Sequence, residues 1–185
     1  MKNIVAKAKL WATQAHEGQY RKFSGQPYVE HPKRVAQIIL RYKDSAELDM
    51  LLAAALLHDT IEDSSTSEED IFHEFGPDVL NIVAELTTPT TVTKSEKREY
   101  LAKKMTGMTS YALVIKLADR LDNCSDLRHA TKQFRSSYIK ETRYIISQLV
   151  ANRFFLSNTQ LDLIHDILKE VNTAARIDEF DADLK

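Results

Sequence analysis

A chain of 185 residues can bury a core without staples and sits near the size of one domain, so no second catalytic domain is expected. Hydrophobic residues at 43% and charged residues at 28% fit a globular chain, and the longest apolar run, residues 50–57, is too short to cross a bilayer. A formal charge of -2 gives no overall field to draw the chain to nucleic acid or an anionic membrane, and the lone Cys124 excludes an intrachain disulfide.

Lys2, Lys7 and Lys9 interrupt the apolar stretch that a secretory signal needs, so a cytoplasmic location is expected, with neither nucleic acid nor membrane as partner. Four glycines, four prolines and apolar spacings of three and four predict an all-α helical bundle. The expected domain is 1–176, followed by a fraying acidic tail at 177–185.

Ile4, Ala8, Trp11, Ala12 and Ala15 mark one face of a first helix that stops near Gly18. After a polar loop through residues 24–27, Pro32 opens a second helix with Val35, Ile38 and Ile39 inward, and His31 just ahead of it. Residues 47–63 read as one central helix, apolar on nearly all sides between 50 and 57. Thr66 and Glu69 have capping-box spacing for a short helix before Gly76-Pro77, and residues 78–86 form another with Val79, Ile82, Val83 and Leu86 inward. Beyond a Thr-rich loop at 87–93, helices are predicted over 95–105, 110–127, 136–155 and 159–175. Trp11, Phe154 and Phe155 are expected in the core, and His16, His73, His129 and His165 at helix faces or ends as ordinary surface residues, with His16 near the site.

Chemistry concentrates on the central helix. His58 and Asp59 follow an intensely apolar run, where a buried polar group without a partner costs about 1–3 kcal/mol and a charge costs more. A hydrogen-bonded pair tying helices together would satisfy them, and so would a divalent ion. Asp119 lies within a second apolar frame of Leu113, Val114, Leu117, Ala118 and Leu121, and His31 supplies a fourth donor. Mixed nitrogen and oxygen donors suit Mn²⁺, Fe²⁺ or Zn²⁺ better than Ca²⁺. Glu62 and Asp63 stand four residues beyond His58 and Asp59, one helical turn away, where a carboxylate can orient an acidified water or move its proton.

Together, His31, His58-Asp59 and Asp119 resemble the H…HD…D signature of the HD phosphohydrolases. More narrowly, RKFSGQPYVEHP at 21–32, AALLHDTIED at 54–63 and IKLADRLDN at 115–123 resemble the (p)ppGpp hydrolase domain of Rel/Spo-type enzymes and the stand-alone small alarmone hydrolases, over about residues 5–145. The resemblance implies Mn²⁺ at His31, His58, Asp59 and Asp119, with Glu62 and Asp63 as the catalytic carboxylates. It further implies a small nucleotide substrate held by Arg21, Lys22, Lys94 and Asn123. Lys140 and Tyr144 match the spacing of a basic residue and a tyrosine on the next helix. The expected reaction is removal of the 3′-pyrophosphate of (p)ppGpp. Another nucleotide or dinucleotide phosphate is the alternative substrate, and a non-catalytic nucleotide-sensing module the alternative class. A monomer or a homodimer would serve equally.

Overall fold

The computed structural model describes residues 4–42 and 45–183, the last six of these by backbone alone, so Lys2 and the end of the expected tail lie outside the described residues. Helix α1 (Ile4–Ala15) buries Ala8 and Ala12, and the chain turns at Gly18 with φ +75°. The polar loop is a tight hairpin closed by an isolated bridge between Tyr20 and Pro27, with Arg21 N donating to Gln26 O at 2.8 Å. Helix α2 (Glu30–Tyr42) begins two residues before Pro32, so His31 stands inside the first turn rather than ahead of it. Pro32 still falls in that turn, where the missing N–H costs nothing.

The expected central helix is two helices, α3 (Leu48–Leu57) and α4 (Thr60–Asp63). Two side chains take the carbonyls that a continuous helix would use: His58 Nδ1 meets Ala55 O at 2.8 Å, and Thr60 Oγ1 donates to Leu57 O at 2.7 Å. Apolar periodicity is blind to such competition: the apolar run ends at Leu57, and nothing in it distinguishes a helix that continues through His58-Asp59 from one that breaks there.

Helix α5 (Glu68–Phe75) carries a reciprocal capping box of Ser67 with Asp70, one residue beyond the expected Thr66 and Glu69. Gly76, at φ +86° and ψ 173°, turns the chain into α6 (Pro77–Leu86), whose four predicted residues are buried. There follow α7 (Lys97–Gly107), α8 (Ser110–Ser125), a 3-10 turn (Asp126–His129), α9 (Lys132–Asn152) and α10 (Asn158–Asp183). Helix α9 thus starts four residues early, capped by Thr131, and ends before the two phenylalanines. Phe154 and Phe155, expected in the core, lie in the turn after it at 105% and 71% exposure. Trp11 does pack against the core, edge-on to Phe75.

Helix α3 lies at the centre, packed by α1, α2, α6 and α8, with every residue from 51 to 57 buried. Each fully buried leucine there is worth about 1.5–3 kcal/mol of transfer free energy. Buried Arg120 joins α8 to α9, donating to Thr142 Oγ1 at 2.9 Å and lying over the Tyr138 ring. Arg135 holds the 3-10 turn against α9 through the carbonyls of Leu127 and Ala130. Among the described residues no helix is long and apolar enough to cross a membrane.

Candidate metal centre

The start of α2, the α3–α4 break and the middle of α8 meet at one point. His31 and His58 are each 1% exposed and Asp119 7%. His31 Nε2 lies 3.2 Å from Asp119 Oδ1 and 3.5 Å from Asp59 Oδ2. His58 Nε2 lies 3.1 Å from Asp59 Oδ2 and 3.9 Å from Asp119 Oδ1. His31, His58 and Asp119 each offer one donor atom within 4.8 Å of the others, and the Asp59 carboxylate stands against both imidazoles.

Outer hydrogen bonds set the tautomers. A carbonyl only accepts, so His58 Nδ1 carries the proton it donates to Ala55 O, and Nε2 of the neutral ring is a bare lone pair. His31 Nδ1 likewise donates to Asp122 Oδ2 at 2.7 Å. His58 Nε2 is buried and makes no aligned hydrogen bond. Two bare nitrogens therefore face two carboxylates, an arrangement that calls for positive charge between them. Protons can supply it: burial would push the His58 imidazole down, but Asp59 and Asp119 outweigh that and raise it to about 9. His31 is raised as well, its burial overcome by hydrogen bonds to Asp119, Asp122 and Asp59. A divalent cation supplies the same charge while accepting the lone pairs, so the residues fit a metal ion. Burial would raise the Asp59 and Asp119 carboxyls, yet their cationic neighbours hold both well below the ordinary range; for Asp119 the largest such neighbour is Lys116, whose Nζ stands 2.9 Å away.

Beside the cluster opens a cavity of about 260 Å³, lined by Arg21, Lys22, Phe23, Tyr28, Asn123 and Phe134 among others. Asn123 belongs to both places: its Nδ2 donates to Asp119 Oδ1 at 2.6 Å, and its Oδ1 accepts from Arg21 Nη2 at 2.9 Å. Arg21 is held in turn by Asp126 at 2.7 Å. Lys22 Nζ lies over the rings of Phe23 and Phe134. Asp63 N bonds to Asp59 O at 2.9 Å, so the turn that sets their side chains near one another survives the helix break. The Tyr28 hydroxyl stands 2.8 Å from Asp59 Oδ2 and 3.3 Å from Asp63 Oδ2. Burial and the Asp59 charge raise the Asp63 carboxyl above its ordinary value. Glu62 accepts from the Thr88 backbone N–H, which ties it to the Thr-rich loop.

The other basic candidates are not among the residues lining this cavity. Lys94 is exposed in the loop before α7, and Lys140 is exposed on α9. The Tyr144 hydroxyl donates to Glu99 in a separate cavity between α7 and α9, which shares no lining residue with the first.

Residues 8–154, a span that contains all four expected metal ligands, match the HD domain family model. The chain belongs to the HD-domain family. This HD domain is 37% identical over 131 residues to guanosine-3′,5′-bis(diphosphate) 3′-pyrophosphohydrolase MESH1 of Xenopus tropicalis, covering 70% of the chain and 73% of that protein. With human MESH1 it shares 31% over 159 residues, 85% of the chain and 88% of the relative. It is also similar to a solved structure described as a metazoan ortholog of SpoT that hydrolyzes ppGpp, with TM-score 0.78, 29% identity, and coverage of 92% of this chain and 96% of that one.

Three residues around the HD site escaped sequence reasoning, and a fourth, His16, was expected near it but exposed. Asp122 is 4% exposed and stands three residues after Asp119, on the same face of α8, a spacing that could have flagged it. Lys116, three residues before Asp119 on the same helix, could have been flagged by the same spacing, whereas nothing local assigns Tyr28 to Asp59. His16, expected at the surface, is 3% exposed, because Gln19 Oε1 takes its Nδ1 at 2.9 Å and its ring lies 4.8 Å from that of Tyr28.

Proposed function

We propose that this HD domain is a metal-dependent (p)ppGpp 3′-pyrophosphohydrolase, releasing pyrophosphate and leaving GDP or GTP. The observation that carries the reading is Asn123, one side chain shared by the metal cluster and an aromatic, cationic cavity of nucleoside size. The MESH1 relatives, matched over most of their length, support the same substrate.

His31, His58, Asp59 and Asp119 would hold one divalent ion, for which the mixed imidazole and carboxylate donors favour Mn²⁺ over harder cations. When bound, such an ion supplies electrophilic polarisation of a phosphoryl oxygen and a more acidic water. The chain's own residues do the rest. Asp63, held above the usual carboxylate range, accepts the proton of the attacking water, and the Tyr28 hydroxyl keeps Asp59 and Asp63 in register. Glu62, braced by Thr88 N, is the second carboxylate of the pair. Arg21 and Lys22 bind the nucleotide, with Phe23, Phe134 and Tyr138 offering the base apolar walls. Lys94 is assigned to distal phosphates. Lys140 and Tyr144 are assigned no contact, since neither lines that cavity and the tyrosine is engaged by Glu99. The reading places the protein in the cytoplasm as a monomer or homodimer.

The test is a panel of nucleotides with products separated by chromatography: ppGpp, pppGpp, GTP, a dinucleotide bearing a 2′-phosphate, and a simple phosphomonoester. Pyrophosphate with GDP or GTP from the first two alone supports the reading. Turnover confined to another member keeps the metal chemistry and overturns the substrate.

A further inference from the structure

Asp122 is a buried carboxylate that the proposed reaction does not use. Its Oδ2 accepts from His31 Nδ1 at 2.7 Å, and it is gripped from the far side by Arg34, whose Nε donates to Oδ1 at 2.6 Å and Nη2 to Oδ2 at 3.0 Å. Arg34 sits on α2, one turn beyond His31, so one helix supplies both the imidazole and the cation that anchors the imidazole's partner. Gln26 Oε1 steadies Arg34 further, accepting from Nη1 at 3.2 Å. A two-pronged guanidinium grip fixes a carboxylate in rotation as well as position.

We infer that Asp122 and Arg34 are a positioning pair, which locks His31 in the tautomer and ring orientation that turns Nε2 toward the divalent ion. The inference rests on the reading of His31 as a ligand. Without Asp122 the His31 ring is free to rotate or to carry its proton on Nε2, and either change removes one donor. The neutral Ala55 carbonyl does the same service for His58 from the backbone, so among the two imidazoles only His31 depends on a side chain that substitution can remove. An anionic acceptor also makes the ring it holds a stronger donor to metal, an outer-sphere effect whose removal typically costs about 10–100-fold in affinity.

The experiment is Mn²⁺ titration of the metal-stripped full chain by calorimetry, with ¹⁵N chemical shifts of the histidine rings as a second readout. Asp122→Ala should weaken Mn²⁺ binding about 10–100-fold. Asp122→Asn, which keeps an acceptor but not the charge, should fall between it and the wild type. In the His31→Ala background, Asp122→Ala should weaken binding no further, because the two act through one donor. Arg34→Gln leaves the carboxylate in place and should show a smaller loss, with unchanged helical circular dichroism. An undiminished affinity in Asp122→Ala, or an additive loss in the double variant, overturns the inference and leaves Asp122 a tie between helices. Wild-type affinity in His31→Ala alone instead overturns the ligand reading on which it rests.

Discussion

Tyr28 touches two carboxylates with one hydroxyl, and its ring lies between those of His16 and His31 at centroid distances of 4.8 and 5.7 Å. Tyr28→Phe keeps the packing and removes only the hydroxyl. Steady-state kinetics should then show kcat reduced about 10–100-fold, the usual cost of losing an outer partner of a ligand, with little change in melting temperature. Cys124 is a second residue with a sharp expectation. Burial pushes its thiol up from 9.0 to about 12. A folded thiol raised in this way keeps its proton when the unfolded one ionises, so its contribution to stability is complete below pH 9 and is lost between there and about 12. Titration with a thiol reagent at pH 8 should find no reactive group until the chain is unfolded, and urea midpoints should fall as pH climbs past 9. At this scale the sequence was legible wherever a polar residue sat inside an apolar frame, as with Asp119. It was silent where a partner came from far along the chain: Arg34 meets Asp122 across 88 positions, and Tyr28 meets Asp59 across 31.

Helix boundaries drifted for local reasons. The predicted helix over 47–63 divides because the His58 and Thr60 side chains capture backbone carbonyls, and that division sets His58 and Asp59, two of the four proposed ligands, between α3 and α4. Phe154 and Phe155 looked like core from their apolarity, but α9 ends before them and Arg153 turns the chain by bonding the carbonyls of Met108, Thr106 and Met105. Gly76 carries the sharpest junction, between α5 and α6. Its φ of +86° with ψ 173° lies in a region nearly reserved for glycine, while a Cβ there would meet nothing within 4 Å. Gly76→Ala should therefore cost about 1–3 kcal/mol through backbone strain alone, read as a lowered denaturation midpoint with an unchanged rate per folded molecule.

Across the whole molecule the all-α architecture follows from the apolar period, and the position of the histidine and aspartate cluster follows from packing α2, α3 and α8 around one core. The cavity beside it was less legible: Arg21, Lys22 and Asn123 were flagged by the resemblance, but Phe23 and Tyr28 from the hairpin region and Phe134 from α9 each read locally as an ordinary loop or helix residue. The central claim is that a divalent ion at this cluster and the Asp63 carboxylate together release pyrophosphate from ppGpp. The measurement that tests it most directly is pyrophosphate release by the metal-stripped chain before and after Mn²⁺ is restored, beside Asp63→Asn. The account predicts no release from the stripped protein, stoichiometric pyrophosphate and GDP once Mn²⁺ is added, and a loss of about 10²–10⁴-fold in the variant. Release from the stripped protein at the same rate, or an Asp63→Asn variant as fast as the wild type, would contradict it.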